Sequence, residues 1–201
     1  MKVKQMLTAV SVVAAALLIS GCAGTVKGMR ELPETAVPAA APAGKSQIVF
    51  MRPATLGFAI QSSVFDVTNP KADPSLVGII AAKTKVAHTV EPGKYTFMAV
   101  GESGDFMTAE VLPNKTYYVD VAPRMGLWKA RFALEPNHTA ELATAEFAND
   151  LKDCKWVELS PESAVWAQEH MPSVKSKYAE YYADWMKSTD EKMKLLPEDG
   201  R

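Results

Sequence analysis

The sequence predicts a mainly β, α+β chain: an antiparallel β-sandwich with appended amphipathic helices at its carboxy-terminal side. Three observations carry this reading. Short β-rich runs recur at a spacing of roughly ten residues from Gln47 onward, turn residues separate them, and after Pro136 the apolar period changes from strand-like to helical. Beyond Ser46 roughly 155 residues remain, enough for one compact core.

The predicted strands are Gln47 to Arg52, Val64 to Thr68, Leu76 to Ala81, Lys85 to Val90, Lys94 to Gly101, Met107 to Leu112, Thr116 to Ala122 and Lys129 to Leu134. Pro92-Gly93, Ser103-Gly104-Asp105, Pro113-Asn114 and Arg124-Met125-Gly126 punctuate them. Tyr95 to Val100 is apolar on both faces, which places that strand centrally. Ala130, Phe132 and Leu134 alternate with Lys129 and Arg131, the mark of a strand with one wet face.

In the 137–201 extension, Leu142, Phe147 and Leu151 predict a short helix, and Trp156 to Leu159 an extended segment. Ser160 is placed to cap a helix with Pro161 at its first position, ending at Met171-Pro172. Val174, Tyr178, Tyr181, Tyr182, Trp185 and Met186 then recur at three- and four-residue steps, an amphipathic helix ending near Leu196-Pro197. The rings of Tyr178, Tyr181, Tyr182 and Trp185 either pack on the sandwich or form a surface for a partner protein. Packing is preferred, because burying three such rings contributes several kcal/mol at about 25 cal/mol per Å².

At the amino terminus, Lys2 and Lys4 precede an apolar run from Met6 to Ile19, followed by Leu18-Ile19-Ser20-Gly21-Cys22. A run of about 14 residues at about 1.5 Å each is too short for a permanent span and fits a cleaved export signal over 1–21. The Cys22 segment resembles a bacterial lipobox. That resemblance implies cleavage before Cys22, lipidation of its sulfur and of its new amino group, and, with Ala23 rather than aspartate next to it, residence in the outer membrane. Two or three acyl chains anchor stably where one does not. Residues 22–46, with Pro33, Pro38 and Pro42, read as an extended tether reaching some tens of ångströms.

Residues Ile48-Val49-Phe50-Met51-Arg52-Pro53, Phe65-Asp66-Val67, Val90-Glu91-Pro92-Gly93-Lys94-Tyr95-Thr96 and Asn114-Lys115-Thr116-Tyr117-Tyr118-Val119 resemble, in that order, an uncharacterised family of bacterial envelope lipoproteins. The resemblance covers Gln47 to Pro136 and implies an immunoglobulin-like or prealbumin-like sandwich over 47–136. The family's short Asp-Gly hairpin after the second strand is replaced here by Thr68 to Pro74. No activity is implied.

Chemistry-bearing patterns are sparse. Loss of Lys2 and Lys4 with the leader takes 22 basic residues to 20 against 23 acidic, about three net negative charges, which argues against nucleic acid. His88, His138 and His170 are isolated, with no metal-ligand spacing, so neither metal nor cofactor is expected. Gly101-Glu102-Ser103-Gly104 reads as a hairpin turn rather than a nucleophile elbow. Glu91, Glu102, Asp105 and Glu110 crowd the loops around the central strands and are expected to be a solvated edge rather than an acidic rim, and Arg52 is expected to pair with a buried carboxylate such as Asp66. Cys154 is expected to be a small packed residue.

The functional expectation is a non-enzymatic outer-membrane lipoprotein acting as an envelope interaction or assembly module, with the membrane bound through Cys22 and an envelope protein as partner. The alternative is a small-ligand or glycan-binding module using Trp128, Tyr117 or Tyr118 in a concave site. A periplasmic hydrolase ranks third.

Overall fold

The computed structural model describes residues 26–124, 131–188 and 193–201. The leader, Cys22 and Trp128 lie outside the described residues. Strands β1 (Met29–Glu31), β2 (Ser46–Arg52), β3 (Ser62–Asp66), β4 (Ser75–Ile80), β5 (Thr84–Val90), β6 (Gly93–Val100), β7 (Gly104–Val111), β8 (Thr116–Arg124) and β9 (Arg131–Pro136) come first. Helices α1 (Thr139–Leu142) and α2 (Ala145–Asp153), strand β10 (Lys155–Leu159), helix α3 (Ser163–Lys187) and strand β11 (Lys194–Leu195) follow.

The strands form two sheets, ordered β1-β10-β5-β2-β8-β9 and β11-β7-β6-β3-β4. Antiparallel ladders dominate, but β2 with β8, β10 with β5 and β11 with β7 run parallel, so both sheets are mixed. Phe50 of one sheet meets Phe97 of the other, their ring centroids 5.1 Å apart, at the centre of the core. β2 is buried throughout because it is covered twice: Ile48 and Phe50 face the core, and Met51 faces Phe147 and Cys154 beneath α2. The same holds for β6, central in its sheet, where Phe97 and Ala99 face the core and Met98 and Val100 face α3. An apolar run without alternation is the sequence mark of such double burial.

Four boundaries differ from the sequence expectation. Pro172 does not end a helix: α3 is continuous from Ser163 to Lys187 with Pro172 inside it. Proline removes the bond to the carbonyl four residues earlier, yet Trp166 and Met171 before it, and Val174, Tyr178 and Trp185 after it, all pack on one apolar cluster of the sheet. That burial on both sides outweighs the lost bond. Ser160 does not cap α3; its hydroxyl bonds Glu162, which occupies the cap position, and the helix opens two residues later than expected, at Ser163.

Helix α3 also stops well before Leu196. Residues 193–201 instead cross both sheets: Leu195, 1 % exposed, extends the second sheet beside β7, and Arg201 exchanges two backbone bonds with Thr116 of the first. Finally, β1 lies within the segment read as tether. It pairs antiparallel with β10, and the Met29 sulfur accepts from the Ile79 amide.

The anchor of α3 is Phe106, 1 % exposed, whose ring lies 5.8, 5.2 and 5.4 Å from those of Tyr178, Tyr182 and Trp185. Phe106→Ala is expected to cost about 3–5 kcal/mol. In urea denaturation the transition midpoint falls accordingly, and proteolysis within α3 accelerates.

Candidate functional site

The loop 53–61, between β2 and β3, is built around a buried cation. Arg52 is 0 % exposed. Its Nη1 donates to the Ile60 carbonyl at 2.6 Å, and its Nη2 to the carbonyls of Leu56 at 2.7 Å and Gly57 at 2.9 Å. The guanidinium lies 4.8 Å from the Phe132 ring centroid, and burial lowers its pKa. The expected pairing with Asp66 does not occur. That carboxylate belongs to the other sheet and accepts from the Thr68 amide, whereas the fork of Arg52 matches three carbonyls turned inward by a tight loop. Gly57 supplies the positive φ of 65° that this loop needs.

With its carbonyls turned in, the loop turns its side chains out. Leu56 is 52 %, Phe58 77 % and Ile60 43 % exposed. Ala59 and Ile60 border an open groove of about 570 Å³, also lined by Ile79, Glu102, Trp166 and Lys177. Trp166 stacks on His170 at 3.9 Å between centroids, and His170 Nδ1 lies 2.7 Å from the Trp166 carbonyl.

The four stripe residues are brought together, but against the protein itself. Tyr178, Tyr181, Tyr182 and Trp185 are half-buried on the cluster of Phe65, Met98 and Phe106. Tyr178 and Tyr182 stack at 4.7 Å. The other aromatics considered as ligand groups are likewise occupied. The Tyr117 hydroxyl accepts from the Leu112 amide and donates to the Pro197 carbonyl, and Tyr118 packs between Phe147 and the Arg201 guanidinium.

The histidines stay apart. His88 is half-buried and held edge-on to the core ring of Phe97, where burial lowers its pKa and Asp66 partly opposes the shift. His138 Nδ1 sits 2.9 Å from Asp199, a carboxylate that also accepts from the Thr139 and Leu196 amides. Among the described residues no three His, Cys, Asp or Glu side chains are placed to hold a metal ion. Gly101 to Gly104 is the hairpin turn between β6 and β7. Cys154 is 2 % exposed, and burial pushes its thiol up to about 11.

Of the carboxylates around the central strands, Glu91 and Glu110 lie at the solvated surface, as expected, and Asp105 does not. Glu91 pairs with Lys45 and Glu110 with Lys94, while Asp105 turns inward to accept from the Leu134 amide. Carboxylates converge elsewhere, in a cleft of about 310 Å³ lined by Asp120, Glu135, Glu141, Glu146 and Asp150. Sequence spacing hides this cleft, because α1 and α2 fold back over β8 and β9 to make it. Burial pushes Asp120 up to about 7, against a hydrogen bond from Asn137, and the charges of Asp150, Glu135 and Glu146 add to the shift.

Two outcomes follow. Arg52→Met is expected to lower stability by about 2 kcal/mol and to speed hydrogen exchange at Ile60, whose amide bonds Gly57 within the loop. Asp120 binds its proton more tightly folded than unfolded, so its contribution to stability falls as pH rises from 3.8 to about 7. Asp120→Asn is expected to be more stable than wild type by about 2 kcal/mol at pH 8 and indistinguishable near pH 4 in denaturant titrations. No protein-family model matches the chain, and no curated protein is significantly similar to it.

Proposed function

We propose that the chain is a lipoprotein anchored in the outer membrane through acylated Cys22, and that its sandwich is a non-enzymatic interaction or assembly module on the periplasmic side. The observation that carries the interaction reading is the loop 53–61: three exposed apolar side chains on a backbone fixed from behind by Arg52, bordering an open groove. A surface held rigidly at no further ordering cost is suited to recognition. The aromatic stripe is not that surface, since its rings pack on Phe106.

A second reading has one observation in its favour. The groove sets the Trp166 ring near Glu102 and Lys177, a combination suited to a small polar ligand or glycan. Saturable binding of oligosaccharides in that groove, lost in Trp166→Ala, supports it; crosslinking of intact envelopes to a protein partner supports the first.

The anchor is tested by fractionation. Cys22→Ala is expected to lose palmitate labelling and to move from the membrane pellet to the soluble fraction, because the chain then lacks the two or three acyl chains that hold it. An unchanged pellet refutes the anchor.

A further inference from the structure

Where the chain first joins the sandwich decides how far the folded part stands from its anchor. β1 is paired with β10, Lys27 bonds Glu169 of α3 at 3.1 Å, and Gly28 packs against Ile79 and Trp166. Val26 packs on the core. Four residue steps separate Val26 from Cys22, at most about 14 Å of extended chain. The reach of tens of ångströms expected of 22–46 is thus cut short, since residues 32–45 only connect two strands of the same sheet.

Ile79 and Trp166, which Gly28 touches, line the same groove as Ala59 and Ile60. An anchor at Cys22 therefore holds this end of the sandwich near the bilayer. The loop there is suited to that medium. Residues 53–61 carry no charged side chain and expose Leu56, Phe58 and Ile60. The carbonyls of Leu56, Gly57 and Ile60 are already bonded by Arg52, and the Ile60 amide by Gly57, so entering an apolar layer leaves those groups satisfied. Lipid offers no hydrogen-bond donors, so a loop whose Leu56, Gly57 and Ile60 carbonyls are already bonded from within enters it at a lower cost.

We infer that the loop 53–61 docks into the interfacial layer of the bilayer that holds the acylated Cys22, with Phe58 leading and Leu56 and Ile60 flanking it. The inference rests on the acylation proposed above. One small apolar knob binds a membrane weakly by itself, but tethering within a few residues of the anchor supplies the effective concentration that makes it occupied.

The test uses the full acylated chain, reconstituted into vesicles of phosphatidylethanolamine and phosphatidylglycerol, with an environment-sensitive fluorophore on Phe58→Cys or, as a control, on Lys152→Cys of α2. Cys154 is buried and does not compete for label. The expected result is a blue-shifted emission at position 58 that loses most of its intensity when the lipids carry doxyl groups on their chains, and a water-like, unquenched emission at 152. Palmitate incorporation into the same preparations scores the anchor separately. Acylated protein with a water-like label at 58 overturns the loop inference and leaves the anchor standing; absence of palmitate overturns both. A photocrosslinker at position 58 that captures an envelope protein or a second copy in cells, in place of lipid, also overturns it.

Discussion

The guanidinium of Arg52 sets the terms for much of this structure. It terminates β2, the strand covered on both faces, and it carries a charge into a place with no carboxylate. A buried cation is costly unless its donors are met. Here three carbonyls meet its two terminal nitrogens and the face of Phe132 lies beside it, while Nε stays buried without a partner; the three carbonyls come from a loop wrapped tightly around the side chain. The conformation of 53–61, the outward display of its apolar residues and one border of the groove all follow from satisfying that charge.

A related economy governs the opposite side of the second sheet. Phe106 gathers Tyr178, Tyr182 and Trp185, so α3 is held by rings rather than by helix propensity, and it tolerates Pro172 in its interior. The stripe thus serves the fold. The loop 53–61, by contrast, exposes Leu56, Phe58 and Ile60 and owes its shape to Arg52 and not to a covering layer.

The period-two pattern made the sheets legible: β2 to β6 and β8 lie within a residue or two of the runs read from sequence, and β7 starts three residues early, since apolar alternation and Pro-Gly or Pro-Asn turns act locally. What stayed hidden depends on distant partners. Pro172 reads as a helix end unless the cluster around Phe106 is known. β1, three residues long, reads as linker until β10 is beside it. The acidic cleft joins residues from β8 to α2, and the two-residue spacing of Leu56, Phe58 and Ile60 looks like a short strand until Arg52 is seen to gather the carbonyls of that loop behind them. Arg52 alone signalled it, as a charge at the end of an unbroken apolar run, and the error lay in looking for a carboxylate rather than carbonyls.

The strap of residues 193–201 has a bearing on the order of assembly. Tyr117, buried on β8 of the first sheet, completes its hydrogen bonding with Pro197, 80 residues later, and Thr116 waits for Arg201. Such long loops close slowly, because entropy is spent before the contact returns anything. β8, second from the edge of that sheet, is therefore completed by a segment about 80 residues further along, so its hydrogen bonds close late in folding and residues 193–201 act as a clasp that fastens the two sheets once each has formed.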